Sequence, residues 1–408
     1  MPNQPRTPDE SVEQAIAALK AGRFVLIADD RNREDEGDLV IAAEFMTPEA
    51  TTFMVRYTPG VLTVPMTKER LDELRLPQMV EENTEAHRTA FTVSVDYVHE
   101  TTTGISSSDR SKTIRALVDS KSKPSDFARP GHVFPLRYSE GGVLKRAGHT
   151  EASIDLCKLA GLQPVAVVSE LMHDDGSMMR GDDLLEFAKK FDLPFLTIAD
   201  LVRYRRKREK LVTRVSSARI PTKHGDFIAY AYRSLLDGIE HLALVKGDID
   251  AQTPTLVRVH SECLTGDVFA SRRCDCGWQL DHAMELIGKE GCGVVVYLRG
   301  HEGRGIGLAH KMRAYTLQDD GHDTVQANLE LGLPVDSREY GIGAQILVDL
   351  GVTRMRLMTN NPSKYGGLDG YDLEIVERIS ITPTINEDNI HYLRAKQQKL
   401  GHLLSIPS

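Results

Sequence analysis

The sequence has few cysteines and no long apolar run, and each shortage excludes a class of protein. Five cysteines in 408 residues predict a reducing compartment, the cytoplasm, rather than a disulfide framework. No apolar run approaches the roughly 20 residues that span a bilayer, so we expect no membrane partner. The polar residues 1–6 lack the apolar core of a signal peptide. A formal net charge of −9 gives no support for a nucleic-acid partner held through its phosphates.

Linkers, repeats and common nucleotide-binding fingerprints are also missing. No Gly/Ser- or Pro-rich linker, internal repeat or Walker A motif occurs. The glycine-rich stretch 303–308 has Leu308 where a dinucleotide fingerprint needs its third glycine. A nucleotide site in this chain therefore has to be of another kind.

The chain is long enough for two domains, and its patterns predict α/β (α+β) layers. Thr7 and Glu10 form a capping-box pattern ahead of helically spaced apolar residues. Strand-like runs alternate with helix-like ones; the strands are residues 24–28, 212–215, 240–245, 256–260, 294–298 and 375–379, and the helices include 152–161, 197–210 and 387–404. We predict two domains, 1–206 and 207–408, each a mixed sheet with flanking helices.

Three of the five cysteines are gathered in a C-x10-C-x-C pattern, Cys263, Cys274 and Cys276. Zinc prefers such thiolates, and a catalytic zinc site uses three protein ligands and keeps one position open. Two other interpretations remain: reduced thiols on a loop, or a structural site closed by His260 or His282.

Residues 29–38 carry six carboxylates. Most charge runs are solvated turns. The functional alternative is a magnesium site, because Mg²⁺ takes oxygen ligands.

Residues 146–151, Arg-Ala-Gly-His-Thr-Glu, precede a helix-like segment. A helix N-terminus with an arginine and a threonine hydroxyl is suited to a phosphate monoester. The alternative is an ordinary helix start capped by threonine.

The second half resembles GTP cyclohydrolase II, which opens the guanine ring of GTP at a zinc site. The resemblance rests on residues 258–263, 279, 302–307, 323–324, 336–338 and 359–364. It implies zinc held by Cys263, Cys274 and Cys276, water attack at C8 of guanine, release of formate, and Mg²⁺ beside the phosphates of GTP. It also implies contacts with GTP from Arg258, Val259, His260, Ser261, Glu262, Gln279, Glu302, Gly303, Arg304, Thr324, Thr359 and Lys364.

The same resemblance places Asp336 at the proton-transfer position, Arg338 at the nucleophile position and Tyr315 near the reaction. A guanidinium stays protonated and is a poor nucleophile. An electrostatic role for Arg338 at the α-phosphate is the alternative that we favour. Residues 336–339 could instead cap the helix that follows them.

The first half, about residues 10–205, resembles 3,4-dihydroxy-2-butanone 4-phosphate synthase. The motifs are the two loops above together with residues 103–106, 129–136 and 170–176. The resemblance implies conversion of ribulose 5-phosphate to a four-carbon ketose phosphate and formate, with Mg²⁺ on Glu34 and His149 and Mn²⁺ as a substitute. Sugar-phosphate contacts fall on Arg33, Asp38, Arg146, Ala147, Gly148, His149 and Thr150, and turnover requires His132 and Glu170.

Thr63 stands where this family often has cysteine, and Arg88 where it usually has glycine. Our prediction is a homodimeric bifunctional enzyme that supplies both precursors of riboflavin. One alternative is that only the cyclohydrolase works and the first domain is a dimerising or regulatory module. Another is a zinc-stabilised regulator that binds GTP without opening its ring.

Overall fold

The computed structural model of the chain describes residues 7–29, 34–85, 89–319, 326, 340–361, 371, 373–381, 385–400 and 403. It divides into two units, Met1–Arg208 and Glu209–Ser408. Each unit is built around its own seven-stranded sheet. Among the described residues, every helix is too short or too polar to cross a lipid bilayer.

The first unit alternates strands and helices along the chain. Its described strands are β1 (Val25–Ala28), β2 (Gly37–Ala42), β3 (Thr63–Met66), β4 (Val95–Tyr97), β5 (Phe127–Arg137), β6 (Ala166–Glu170) and β7 (Phe195–Thr197). Its described α-helices are α1 (Pro8–Lys20), α2 (Pro48–Tyr57), α3 (Lys68–Glu73), α4 (Ser107–Val118), α5 (His149–Ala160), α6 (Asp182–Lys190) and α7 (Ile198–Arg208). Short 3₁₀ turns occur at Ala43–Phe45, Pro124–Asp126 and Gly142–Leu144.

The first sheet is mixed, and its strands β1 and β2 are buried on both faces. Its strand order is β4-β5-β3-β6-β2-β1-β7, with β3/β5 and β1/β7 parallel and the other pairs antiparallel. Leu26 and Leu39 face one apolar core, whereas Val25 and Val40 face another on the opposite side. Strands covered by helices on both sides are typically apolar throughout, and β1 and β2 are completely buried.

A buried ion pair joins α7 to α5 in the first unit. Arg205 Nη1 lies 2.6 Å from Asp155 Oδ2, and the two side chains are 12% and 1% exposed. Asp155 also accepts hydrogen bonds from the Tyr138 hydroxyl and the Val143 amide. Removing the cation would leave a buried carboxylate without its counter-charge.

We predict that Arg205→Met lowers the free energy of unfolding of the first unit by about 3–5 kcal/mol, because one partner of a buried pair is lost. Arg203→Met is the matched control on the same helix. Its pair with Asp200 is 65% exposed on the arginine side, and exposed pairs contribute only about 0–1 kcal/mol. Urea unfolding followed by hydrogen–deuterium exchange in peptides of the first unit measures both changes. Equal losses in the two variants would contradict the prediction.

The second unit begins with four strands, and helices alternate with the remaining strands along the rest of the chain. Its described strands are β8 (Val212–Thr222), β9 (Gly225–Ser234), β10 (Glu240–Lys246), β11 (Thr255–Ser261), β12 (Gly293–Leu298), β13 (Arg354–Met358) and β14 (Glu374–Ile379). Its described α-helices are α8 (Leu264–Asp267), α9 (Cys276–Glu290), α10 (Leu308–Asp319), α11 (Gly341–Asp349) and α12 (Ile390–Leu400), with a 3₁₀ turn at Glu302–Arg304.

The second sheet has a parallel half and an antiparallel half. Its order is β14-β13-β11-β12-β10-β9-β8, and the four strands from β14 to β12 are parallel. β11, β12 and β13 therefore end at the same edge of the sheet. Ligands in open α/β sheets bind beyond the carboxyl ends of parallel strands, so this edge is where a site is expected. The predicted fold class, two mixed-sheet α/β domains, is confirmed.

Candidate functional sites

The structure brings the three clustered cysteines of the second unit together. Cys263 follows the end of β11, and Cys276 is the first residue of α9. Their Sγ atoms and that of Cys274 all lie within 4.8 Å of one another. A Cβ on Gly266 would lie 2.8 Å from the Sγ of Cys274 and 3.2 Å from that of Cys263, so only glycine fits between these thiols.

A zinc ion fits this cluster. The Sγ atoms of Cys263 and Cys274 are 3.7 Å apart. Two sulfurs of a tetrahedral zinc site with bonds of about 2.3 Å are separated by about 3.8 Å. Among the described residues, the metal-ligand group of this unit consists of the three cysteines. Three ligands match the composition of a catalytic rather than a closed structural site.

The two histidines that could have closed a structural site have other partners. His260 Nε2 lies 3.1 Å from the Asp267 carboxylate, which also accepts hydrogen bonds from the Tyr297 hydroxyl and the Cys263 amide. His282 stacks on Trp278 with ring centroids 4.8 Å apart. Asp267 therefore links His260 to the backbone amide of Cys263 in the cysteine loop.

Lys311 is a member of this site that the sequence analysis missed. Its buried Nζ donates to Cys263 Sγ at 3.2 Å, Thr265 Oγ1 at 2.8 Å and Glu302 Oε1 at 2.5 Å. Burial opposes its charge, but the neighbouring Cys263 and Glu302 prevail and raise the pKa of Lys311. Lys311 precedes Tyr315 by four residues on the same helix, and residues at this spacing lie on the same helix face. Because Tyr315 was a predicted site residue, this spacing could have identified Lys311 from the sequence.

The pKa of the Cys263 thiol is lowered well below its usual range. Hydrogen bonds from Cys274 and Cys276 contribute most, and the charge of Lys311 adds to them against the opposing effect of burial. The thiolate is the form that binds metals. The surroundings of Cys263 thus favour its ligand form.

A cleft that is partly open to solvent lies beside the cysteines at the carboxyl ends of β11, β12 and β13. Nine of the residues predicted to contact or convert GTP line it: Arg258, His260, Ser261, Glu262, Gln279, Gly303, Arg304, Tyr315 and Thr359. Val259 is buried within β11, and Glu302 is buried against Lys311. The other predicted residues, Thr324, Asp336, Arg338 and Lys364, lie outside the described residues.

Helix α12 also reaches this cleft, although the sequence analysis assigned it no chemistry. Tyr392 and Lys396 are among the lining residues. Lys396 Nζ lies 4.4 Å from the centre of the Tyr392 ring. Burial first, and then the negative groups Cys276 and Asp275, raise the pKa of Tyr392 well above its usual range, so the Tyr392 hydroxyl stays protonated.

The first unit contains a second group of metal-ligand side chains. Ligand atoms of Asp29, Glu34 and His149 lie within 4.8 Å of one another. Asp29 follows β1, and its carboxylate accepts the amide N–H groups of Glu34 and Glu36. Glu34 and His149 were predicted ligands, whereas Asp29 was not, because the sequence does not distinguish Asp29 from its acidic neighbours.

Two more carboxylates lie beside this group on neighbouring strands. Asp38 on β2 and Glu170 on β6 are directly opposite each other in the antiparallel register. Asp38 Oδ1 is 3.6 Å from His149 Nδ1. Burial, and then the charges of nearby carboxylates, raise the pKa values of both Asp38 and Glu170. A bound cation would relieve this repulsion, because opposite charge favours the ionised form.

The loop 146–150 borders the same group because α5 begins at His149. Arg146 Nη1 lies 2.7 Å from Glu151 Oε2. A Cβ on Gly148 would approach Arg146 Nη1 to 2.6 Å, so a larger residue there would displace the Arg146 guanidinium. Thr150 is buried in the first helical turn, whereas Ala147 is exposed. Arg33 lies outside the described residues.

The described contacts of His132 go to Asp96 rather than to the acidic group. His132 Nδ1 is 2.6 Å from Asp96 Oδ2, and its amide donates to Asp96 Oδ1 at 2.9 Å. His132 is 43% exposed on β5. Thr63, which replaces the usual cysteine, donates its hydroxyl to the Val168 carbonyl between β3 and β6. Arg88 lies outside the described residues.

Two family models match the chain, one for each unit. Residues 13–204 match the model described as 3,4-dihydroxy-2-butanone 4-phosphate synthase, and residues 213–380 match the model described as GTP cyclohydrolase II.

Curated relatives and a solved structure match nearly the whole chain. A bifunctional riboflavin biosynthesis protein of Arabidopsis thaliana is 60% identical over 97% of this chain and 73% of its own length. A riboflavin biosynthesis protein of Salinispora tropica is 57% identical over 97% of this chain and 98% of its own length. The crystal structure of a two-domain 3,4-dihydroxy-2-butanone 4-phosphate synthase from A. baumannii is similar with a TM-score of 0.70 and 36% identity, over 91% of this chain and 99% of that one.

Proposed function

The chain belongs to the family of bifunctional riboflavin biosynthesis proteins, and from this premise we propose that the acidic group of the first unit and the cysteine group of the second are its two active sites. The predicted function, a 3,4-dihydroxy-2-butanone 4-phosphate synthase joined to a GTP cyclohydrolase II, is confirmed. It is favoured over a cyclohydrolase with a merely dimerising or regulatory first domain, since models of both enzymes match. The same matches favour an enzyme over a regulator that binds GTP without opening its ring.

The observation that carries the proposal for the second unit is the position of the three thiols beside the cleft. Cys263, Cys274 and Cys276 would hold the zinc ion. When bound, zinc activates water and polarises the group that is attacked. GTP would lose formate from its ring and pyrophosphate from its phosphate chain. This leaves 2,5-diamino-6-ribosylamino-pyrimidinone 5'-phosphate.

The other residues of the second unit would bind and orient GTP. Arg258 and Gln279, hydrogen-bonded to each other at 2.5 Å, form the wall that would meet the guanine. Arg304, on a glycine-rich turn, is suited to the phosphates by its bidentate guanidinium, and Mg²⁺ would accompany them. The hydroxyl oxygen of Tyr315 lies 3.4 Å from Thr265 Oγ1, close to the cysteine loop. Asp336 and Arg338 keep their predicted roles in proton transfer and at the α-phosphate.

In the first unit, Glu34 and His149 would hold Mg²⁺, or Mn²⁺ in its place, and Asp29 lies close enough to join them. When bound, the metal polarises the carbonyl and hydroxyl oxygens of ribulose 5-phosphate. Glu170 would move protons at the adjacent carbons, since the sheet register places it opposite Asp38, close enough for their charges to interact. His132, oriented by Asp96, would serve turnover, and the loop 146–150 would bind the phosphate.

We assign the synthase domain to residues 1–206 and the cyclohydrolase domain to residues 207–408. By resemblance to both families, we expect the protein to form a homodimer. A reducing compartment such as the cytoplasm suits the five free thiols, three of which would be metal ligands.

Formate release from each substrate tests the proposal. The purified chain should release formate from ribulose 5-phosphate with Mg²⁺ and, separately, from GTP. A zinc chelator should abolish the second activity and leave the first unchanged. Release from GTP that persists after zinc has been removed and shown to be absent would overturn the assignment of the cysteines.

A further inference from the structure

A chain of buried hydrogen bonds connects α12 to the wall of the GTP cleft. Lys396 Nζ lies 2.7 Å from Asp275 Oδ1, and the two side chains are 9% and 1% exposed. The other carboxylate oxygen, Asp275 Oδ2, accepts from Gln279 Nε2 at 2.6 Å. Gln279 Oε1 accepts from Arg258 Nη2 at 2.5 Å, and Arg258 Nη1 donates to the Met358 carbonyl at 2.9 Å.

This chain fixes which way the amide of Gln279 points. A carboxylate only accepts hydrogen bonds, and a guanidinium only donates them. Gln279 therefore has to present its nitrogen to Asp275 and its oxygen to Arg258. The reversed amide would set oxygen against oxygen and N–H against N–H, and both hydrogen bonds would be lost in a largely buried place.

The direction of an amide distinguishes guanine from adenine. On the edge where the two purines differ, guanine presents an acceptor at O6 beside a donor at N1, whereas adenine presents a donor at N6 beside an acceptor at N1. A glutamine amide matches one pattern in one orientation and the other pattern when reversed. After the two contacts above, Gln279 retains one N–H and one oxygen lone pair by valence.

We propose that Lys396 and Asp275 are positioning residues that make the cleft select guanine over adenine by locking the amide of Gln279. The inference rests on the proposed function, because it needs Gln279 to meet the base. Lys396 binds one carboxylate oxygen of Asp275, and the other oxygen is thereby directed at Gln279. Without the ammonium of Lys396, the carboxylate of Asp275 can rotate. The amide of Gln279 is then no longer held in one orientation.

Helix α12 is held in place by contacts of its own. Leu393 is completely buried. Asn386 Oδ1 accepts the amide N–H of Asn389 ahead of the first turn, as side chains at helix starts commonly do. Under this proposal, α12 is a part of the nucleotide site. Its Lys396 reaches Asp275 although the two residues are 121 positions apart in the sequence.

The role of Lys396 and Asp275 is tested by measuring how strongly the full, zinc-loaded chain prefers GTP over ATP. The ratio of the ATP inhibition constant to the KM for GTP should fall about tenfold in Asp275→Asn. The one oxygen of asparagine pairs with Lys396, so its NH2 group faces the NH2 group of Gln279, and a hydrogen bond to a charged group is lost. Lys396→Met should produce a similar fall, and Lys396→Arg, which keeps the cation, should restore most of the ratio. Lys289→Met is the control, since Lys289 is 70% exposed on α9 and pairs with Glu285.

The outcomes separate this inference from the proposed function. If the unmodified chain does not open GTP, the proposed function fails. If it does, but Asp275→Asn keeps the ratio within about twofold of the unmodified chain, the inference is overturned. A general loss of kcat with the ratio unchanged also overturns it, because a purely structural role predicts that result. Should Lys396→Met lose its zinc or fail to fold, Asp275→Asn, which preserves side-chain size, decides the matter.

Discussion

Replacing Cys274 by serine should reduce ring opening of GTP by more than about hundredfold. Serine supplies a neutral hydroxyl where zinc prefers a thiolate, and two sulfurs remain of a set of three. Zinc per chain should fall in parallel with the release of formate from GTP. Formate release from ribulose 5-phosphate should be unchanged, because the residues of that reaction lie in the other unit.

Cys292→Ser is the matched control for this substitution. Cys292 is in the same unit, but its Sγ contacts the Asp248 carbonyl at 3.2 Å and is not a member of the cysteine group. It should keep both zinc and activity. Wild-type ring opening and full zinc content in Cys274→Ser would show that the cysteine group is not the catalytic metal site.

Glu170→Gln should reduce formate release from ribulose 5-phosphate by about 10²–10⁴-fold, the range attributed to a positioned acid or base. Glutamine keeps the size of the side chain but cannot take up a proton. GTP ring opening should be unaffected. Glu186→Gln, at an exposed position of α6, is the control. A rate within a few-fold of the unmodified chain would transfer the proton-moving role to another residue.

The pH dependence of the same reaction provides a second measurement. Burial is the largest cause that raises the pKa of Glu170 above the usual 4.5, and burial acts whether or not a cation offsets the neighbouring carboxylates. A base must be ionised to act, so a raised pKa means that activity is lost on acidification at a higher pH than for an ordinary glutamate. The acid limb of kcat/KM should therefore lie above pH 4.5 in the unmodified chain. The residual rate of Glu170→Gln should lack that limb.

Local sequence patterns predicted several of the helices and strands. The capping box of Thr7 and Glu10 is present at the start of α1, and the strand expected at residues 24–28 is β1, Val25–Ala28. The helix expected at 387–404 is described at Ile390–Leu400. These features depend on neighbours within a few positions, and such neighbours are visible in the sequence itself.

Contacts between distant positions were not predictable in this way. The cysteine pattern predicted a group of three thiols because they occur within fourteen positions of one another, and the structure brings them together. Lys311 lies 48 positions from Cys263, and Asp96 lies 36 from His132. A buried lysine or aspartate looks like any surface charge until the fold shows what it faces. For the same reason, the sequence indicated only that Lys396 lies in the helix expected at residues 387–404.

The two units follow each other almost without interruption: α7 ends at Arg208, and β8 begins at Val212. Every copy of the chain therefore carries one site of each kind. Raising or lowering the amount of this chain leaves its two sites in a one-to-one ratio. The balance between the two products has to be set by the turnover numbers of the two sites and by the local supply of their substrates.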